Sequence, residues 1–216
     1  MDKNIPEHKN PQLIKKIVFF GGAEIDLKIH AKEFQLAYDT AALLAEHGFT
    51  VVDGGGPGIM YAASLGAKSK GGKTIGVTLH SEGASNFEES LQGDLLDKEI
   101  HTVNYLYRTM RLLQNGDAYV IFKGGTGTLS EFAMAWVLSR IYFNRHKSMI
   151  LVGDYWNDII ANLEKNLLIR PEEKSVFKVV EEPKDVLKCV QEFEKDAQAN
   201  NFKPHKKYKD SLGFVL

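Results

Sequence analysis

Short apolar stretches alternate along the chain with longer segments whose apolar residues recur every three or four positions. The short stretches are rich in β-branched and aromatic residues and end at glycine or other turn residues, which is typical of buried strands. The longer segments have the period of amphipathic helices. Strands are predicted at residues 16–20, 50–53, 74–79, 118–122, 147–152 and 176–180, with a short additional strand within 95–103. Helices are predicted at residues 30–47, 59–69, 105–114, 129–142, 154–168 and 182–197, and a loop at 80–92.

Strands that alternate with helices at this spacing predict an α/β fold, in which a mainly parallel, doubly wound sheet has helices on both faces. The chain has 216 residues, 44% of them hydrophobic, which suits one domain with a single core. We expect this domain to span residues 15–200. Residues 1–14 are predicted to be an N-terminal arm, and residues 201–216 a C-terminal tail.

Composition narrows the classes of partner. The 27 Lys and Arg residues are balanced by 28 Asp and Glu residues, so there is no positive excess to attract nucleic acid or an acidic membrane. The longest apolar runs are far shorter than the roughly 18 residues that a membrane span needs. Residues 1–9 lack the apolar segment of a secretion signal. We therefore predict a cytoplasmic protein that binds neither nucleic acid nor membranes.

Glycine-rich turns follow three of the predicted strands. Ligands of doubly wound sheets bind at the carboxyl ends of the strands, so we expect the three turns to line one crevice. The backbone N–H groups at the start of the helix after residues 124–128, with the positive end of the helix dipole, suit a phosphate group. The hydroxyl of Thr126 or Thr128 is predicted to cap this helix. The predicted substrate- and phosphate-binding residues are Gly21, Gly22, Gly54, Gly55, Gly56, Gly58, Met60, Arg111, Gly124, Gly125, Thr126, Gly127 and Thr128.

Two common phosphate-binding motifs do not fit these turns. Residues 54–58 lack the spacing of the dinucleotide fingerprint GxGxxG, and residues 123–128 lack the spacing of the P-loop. The seven histidines are scattered along the chain, so no metal ligands and no cofactor are predicted. A nucleoside monophosphate or a related sugar phosphate fits the three turns better.

Residues 54–60, Gly-Gly-Gly-Pro-Gly-Ile-Met, and residues 124–131, Gly-Gly-Thr-Gly-Thr-Leu-Ser-Glu, together resemble the Lonely Guy family. The motif of that family is PGGxGTxxE, preceded by an arginine on the helix before it, and the resemblance covers residues 16–180. It implies a Rossmann-like fold and a homodimer or higher homo-oligomer. It also implies hydrolysis of the N-glycosidic bond of nucleoside 5′-monophosphates, such as AMP or cytokinin nucleotides, which releases the base and ribose 5-phosphate.

The resemblance assigns the catalytic roles to Glu131 and Arg108. A carboxylate near C1′ can stabilise the positive charge that develops on the sugar and can orient or deprotonate the attacking water. An arginine can hold the phosphate or hydrogen-bond to the departing base. Lys123 stands where the motif has proline, and Thr109 where a lysine usually follows the arginine. Arg111 is therefore a second candidate for the functional arginine.

The substitutions at Thr109 and Lys123 support a second interpretation. A carrier or sensor would bind a phosphorylated ligand at the same turns without performing chemistry, as in the molybdenum-cofactor carrier proteins that resemble the same fold. The nature of residue 131 separates the two interpretations, because an enzyme needs its carboxylate and a carrier does not.

Overall fold

A computed structural model describes residues 13–23, 27–80, 93–141 and 147–199. The strands among them are β1 (Lys16–Phe20), β2 (Thr50–Asp53), β3 (Thr74–Leu79), β4 (Lys98–Thr102), β5 (Ala118–Ile121), β6 (Ser148–Val152) and β7 (Phe177–Val180). The α-helices are α1 (Leu27–Glu46), α2 (Ile59–Ser69), α3 (Tyr105–Asn115), α4 (Thr126–Ile141), α5 (Tyr155–Asn166) and α6 (Pro183–Ala199). Every predicted strand is present, and β1, β2 and β3 have the predicted bounds.

All seven strands belong to one sheet, in the order β4-β3-β2-β1-β5-β6-β7. Every neighbouring pair is parallel. The chain builds outward from β1 to β4 and then returns to the other side of β1 with β5. This reversal opens a crevice at the carboxyl ends of β1 and β5, where doubly wound sheets bind ligands. The predicted Rossmann-like, doubly wound α/β fold is confirmed.

The central strands are apolar on both faces. Ile17 and Phe19 of β1 pack with residues of α1, α2 and α6, whereas Val18 and Phe20 pack with residues of α3, α4 and α5. Strands covered by helices on both sides need this continuous apolar pattern. Complete burial of each such side chain stabilises the fold by about 1.5–3 kcal/mol.

Aromatic packing fixes helix α4 against the sheet. The ring of Phe132 lies 5.0 Å from that of Trp136 and 5.1 Å from that of Trp156, measured between centroids. The indole N–H of Trp136 donates to the carbonyl oxygen of Glu173 at 2.7 Å. Since Phe132 is adjacent to Glu131, these contacts hold the position of the carboxylate that the sequence singles out.

Helix α4 begins at Thr126 and not at the predicted residue, Leu129. The N–H of Leu129 donates to the carbonyl of Gly125 at 3.0 Å, so Gly125 occupies the cap position. The prediction that the hydroxyl of Thr126 or Thr128 caps this helix is wrong, because both residues lie inside its first turn. Glu131 therefore lies in the second turn.

Several predicted segments fall wholly or mostly outside the described residues: the arm at 1–14, the loop at 80–92 and the tail at 201–216. Of the arm, Leu13 and Ile14 are described. Their N–H groups donate to the carboxylate of Glu194 on α6 at 2.6 and 2.7 Å. Among the described helices, none is both long and apolar enough to cross a membrane.

Candidate functional site

The glycine turns after β1, β2 and β5 meet at the carboxyl edge of the sheet. The N–H of Gly22 donates to the carbonyl of Lys123 at 2.9 Å, and the N–H of Ile59 donates to the carbonyl of Gly22 at 3.0 Å. These bonds join the three turns through their backbones. Together the turns line a cavity of about 610 Å³. Cavities of about 300–1,000 Å³ are typical of small-ligand sites.

Most of the predicted site residues line this cavity. They are Gly21, Gly22, Gly54, Gly55, Gly56, Met60, Arg108, Gly124, Gly125, Thr126, Gly127, Thr128 and Glu131. The prediction for Gly58 is wrong, because Gly58 does not line the cavity. Its backbone φ is 67°, and a Cβ at this position would collide with the carbonyls of Gly22 and Ala23, so this glycine is needed for packing. Arg111 is exposed on α3 and faces Gln114, 3.4 Å away. The two candidate arginines are thus separated, and Arg108 is the one in the cavity.

The start of α4 opens into the cavity. The first N–H groups of a helix have no acceptor within the helix, and with the helix dipole they form an anion site. A Cβ on Gly125 would meet nothing within 4 Å, so the space above this residue is open. A Cβ on Gly124 would overlap the hydroxyl of Thr128 and lie 2.8 Å from the nitrogen of Gly22. Packing therefore requires Gly124, whereas Gly125 leaves room for a ligand.

Arg108 and Glu131 face each other although both are buried. Arg108 is 5% exposed and Glu131 is 6% exposed. The Nη1 of Arg108 lies 3.8 Å from the Oε1 of Glu131, so the two form an ion pair. The Nε of Arg108 donates to the carbonyl of Val77 at 2.9 Å, and its Nη2 donates to the carbonyl of Gly54 at 3.0 Å. The guanidinium is thus fixed by the ends of β2 and β3.

Two opposing effects set the pKa of Glu131. Burial raises the pKa of this carboxyl above its ordinary 4.5, the positive charge of Arg108 counteracts part of that increase, and the resulting pKa is about 7. The carboxyl therefore changes its protonation state near neutral pH. A group with such a pKa can accept and release protons under ordinary conditions.

The turn after β2 makes room for Arg108. A Cβ on Gly54 would overlap the Nη2 of Arg108, so a side chain at this position is incompatible with the observed guanidinium. Asp53, which is fully buried, fixes the turn by accepting hydrogen bonds from the N–H of Gly55 at 2.7 Å and from the hydroxyl of Ser64 at 2.6 Å. Sequence reasoning missed Asp53. Its signal was an acidic residue at a strand end, where aspartate commonly bonds to the backbone two residues on.

Other residues of the cavity were also missed. His30, Glu33 and Tyr105 line it together with Lys123. The hydroxyl of Tyr105 lies 3.0 Å from that of Ser130 and so connects α3 to the start of α4. The Nζ of Lys123 lies 3.7 Å from the carboxylate of Glu33. No local pattern distinguishes these side chains from ordinary surface residues, because only the fold brings them to one edge.

Comparisons with known proteins identify a family and a shared fold. The family model described as the SLOG cluster4 family matches residues 15–184. An uncharacterized protein from Archaeoglobus fulgidus is 31% identical over 122 residues, which are 56% of this chain and 74% of the relative. A Mycobacterium tuberculosis protein named cytokinin riboside 5′-monophosphate phosphoribohydrolase is 32% identical over 128 residues, which are 59% of this chain. That match spans 65% of the mycobacterial protein, just under two thirds of its length.

Among solved structures, the molybdenum cofactor binding protein from Rippkaea orientalis has a TM-score of 0.59 and 23% identity. The match covers 83% of this chain and 97% of that protein. At this identity the likeness shows a shared fold.

We expect Gly54→Ala to lower the free energy of unfolding by about 1.5–3 kcal/mol, because the methyl group displaces Arg108 from its buried carbonyl acceptors. Urea unfolding of the purified variant measures this loss. Gly125→Ala is the matched control, since its methyl group enters open space and only the replacement of a cap glycine by alanine remains, which should cost no more than about 1 kcal/mol. Equal stabilities for Gly54→Ala and the wild type would show that the guanidinium does not depend on this glycine.

We also expect the stability of the protein to depend on pH through Glu131. Its pKa is higher in the folded chain, at about 7, than the ordinary 4.5, so protonation favours folding and this contribution is lost as pH rises through 7. The full difference corresponds to about 3 kcal/mol. Glu131→Gln, which mimics the protonated carboxyl, should match the wild type at low pH and exceed its stability by up to about 3 kcal/mol at high pH.

Urea unfolding of the wild type and Glu131→Gln from pH 5 to pH 8.5 measures this difference. Glu46→Gln, which changes an exposed carboxylate at the end of α1, is the control and should run parallel to the wild type. A stability difference between Glu131→Gln and the wild type that does not change with pH would contradict the assigned pKa.

Proposed function

The chain belongs to the SLOG cluster4 family and has relatives of the Lonely Guy type, which confirms the predicted resemblance. From this premise we propose that the protein hydrolyses nucleoside 5′-monophosphates. The reaction breaks the N-glycosidic bond and yields a free base, adenine or a cytokinin, and ribose 5-phosphate. One observation carries the proposal: a buried carboxyl with a pKa near 7 lies in the same cavity as an open, glycine-lined anion site. The name of the mycobacterial relative describes a reaction of this class.

In this proposal the 5′-phosphate binds the N–H groups at the start of α4, above Gly125. Glu131 follows Thr126 by five helical positions, a rise of about 7.5 Å. Helical side chains lean toward the N-terminus of their helix, so the carboxyl is directed back toward the phosphate site. This separation suits a ribose that spans from its phosphate to C1′.

Glu131 acts in its ionised form. It accepts a proton from a water molecule as the water oxygen forms a bond to C1′, and its negative charge stabilises the oxocarbenium-like sugar. The electron pair of the C1′–N bond leaves with the base, which takes up a proton from solvent, and Glu131 then releases the proton it took from the attacking water. Atoms and charges balance without any cofactor.

Arg108 supports this chemistry through Glu131. Its Nε donates to the carbonyl of Val77 and its Nη2 to the carbonyl of Gly54, while its Nη1 faces the carboxyl of Glu131. The positive charge keeps the pKa of Glu131 lower than burial alone would set it, so more of the carboxyl is ionised at neutral pH. We therefore assign Arg108 a positioning and electrostatic role.

A carrier or sensor of a phosphorylated ligand is the second candidate. The likeness of the whole domain to a molybdenum cofactor binding protein favours it, because the same glycine turns can hold a ligand without cleaving it. The substitutions Thr109 and Lys123 also favour it. Under this alternative Glu131 would contribute to the shape of the cavity and not to a reaction.

We propose further that the chain forms a homodimer or higher homo-oligomer in the cytoplasm through the adjoining helices α3 and α4. Leu106 on α3 and Leu129 and Ile141 on α4 are 67%, 48% and 60% exposed. The starts of the two helices are joined by the contact between Tyr105 and Ser130. Large exposed apolar side chains on adjoining elements are typical of interaction surfaces.

Activity of Glu131→Gln tests the enzyme proposal. We expect the wild type to release base from AMP or a cytokinin nucleotide, and its kcat to rise with pH through about 7 as Glu131 ionises. Glu131→Gln should lose at least about 100-fold in kcat, because glutamine cannot accept the proton. Chromatographic detection of free base across a panel of nucleoside monophosphates measures both.

Gly125→Ala supplies the second arm of this experiment. Its methyl group enters the space assigned to the phosphate, so KM should rise on the order of tenfold or more while the protein stays folded. If no nucleoside monophosphate yields free base while nucleotide binding persists and is retained in Glu131→Gln, the protein is a carrier.

For the oligomer, we expect Leu106→Asp combined with Leu129→Asp to give monomers, because the charges would be buried without partners in the interface. Size-exclusion chromatography with light scattering measures the mass of each form. Lys165→Asp, a change on α5, should leave the assembly intact. A wild type that is monomeric at micromolar concentration would exclude this interface.

A further inference from the structure

Pairing of β3 with β4 brings together two histidines and a glutamate that are distant in the sequence. The register places Thr78 opposite His101, so His80, just after β3, lies beside the end of β4. The N–H of His80 donates to the carbonyl of Thr102 at 2.9 Å. Glu99 and His101 are two residues apart on β4 and therefore project from the same face of the sheet.

The distances within this cluster suit a shared ligand. The Oε1 of Glu99 lies 3.9 Å from the Nε2 of His80 and 3.6 Å from the Nδ1 of His101. One nitrogen or oxygen atom from each of the three residues lies within 4.8 Å of the other two. A tetrahedral zinc ion with bonds of about 2.0–2.2 Å separates its ligand atoms by about 3.3–3.6 Å. Two distances are already close to that range, and the exposed side chains can rotate to close the third.

The cluster has little value as a purely structural contact. Its imidazole rings meet edge to face, with centroids 4.4 Å apart, on the exposed edge strand of the sheet. Exposed pairs of histidine and carboxylate contribute little to stability. Convergence of two imidazoles on one carboxylate is, by contrast, the arrangement of a metal site that leaves one position open.

We propose that His80, Glu99 and His101 bind a divalent transition-metal ion, with Zn²⁺ the best match to two imidazoles and one carboxylate. Three protein ligands leave a fourth tetrahedral position for water or another small ligand. The Oγ1 of Thr78 lies 3.1 Å from the Nδ1 of His101, a hydrogen bond that this nitrogen gives up when it binds the metal, and Thr78 also lines the cavity. The metal site therefore adjoins the cavity, but it is independent of the proposed hydrolysis.

The experiment uses the untagged chain of 216 residues, dialysed against a chelator and then titrated calorimetrically with ZnCl₂ at pH 7.5. We expect saturable binding of one Zn²⁺ per chain with micromolar or tighter affinity. The double variant His80→Ala, His101→Ala should bind at least about tenfold more weakly, and Glu99→Gln should also lose affinity. His47→Ala, which removes an exposed histidine that contacts the carbonyl of Leu43, is the matched control and should bind as the wild type does.

Thermal unfolding provides a second readout. Zn²⁺ at 100-fold above its Kd should raise the Tm of the wild type by roughly 5 °C or more and leave the Tm of the double variant unchanged. Without metal, the two proteins should melt within a few degrees of each other, because the histidines are exposed. Absence of saturable binding, or equal affinity in the wild type and the double variant, would overturn the proposal.

Discussion

Burial of the positive charge of Arg108 is the constraint on which the candidate site depends. A charged group without partners in the interior costs many kcal/mol, so the guanidinium needs acceptors that reach it there. The carbonyls at the ends of β2 and β3 are two of these, and the carboxylate of Glu131 faces the same group. Residue 54 must then be glycine, because a side chain would occupy the position of the guanidinium. One buried charge thus explains why three separate elements converge at this place.

The same constraint gives Glu131 its chemistry. Burial alone favours the neutral carboxyl and would keep it protonated at neutral pH, whereas full exposure would leave it ionised with no tendency to hold a proton. The neighbouring Arg108 offsets part of the effect of burial and brings the pKa to about 7. A pKa near 7 for Glu131 therefore requires that Glu131 and Arg108 are buried next to each other. Changes to the packing of α4, such as loss of the contacts of Phe132, would alter the pKa of Glu131 by changing its burial.

Much of the fold could be predicted from local sequence, because its determinants are local. Strands β1, β2 and β3 are apolar runs ended by turn residues, and the glycine turns mark the ligand edge through chain order alone. Residues whose roles depend on tertiary geometry could not be placed. Arg108 and Arg111 lie on the same helix, and only the packing of Leu112 and Leu113 against the sheet determines which one faces the cavity. The start of α4 was misplaced because Thr126 and Thr128 are residue types typical of a cap, whereas the helix already begins at Thr126.

Strand register imposes the strongest limit on prediction from sequence. His80, Glu99 and His101 show no metal-binding spacing along the chain, and they become neighbours because β4 pairs with β3 in one particular alignment. A shift by one residue would turn Glu99 and His101 to the other face of the sheet.

The free energy associated with Glu131 bears on the choice between enzyme and carrier. A carboxyl whose pKa is raised to about 7 by burial destabilises the folded chain at higher pH by up to about 3 kcal/mol relative to a neutral group of the same shape. A carrier that only needs the volume of the side chain would be more stable with glutamine. The pKa of about 7 already includes the attraction of Arg108, so the ionised carboxyl is unfavourable in this interior even beside that positive charge. An ionisable group held in the interior at a cost in stability is what the proposed proton transfer requires.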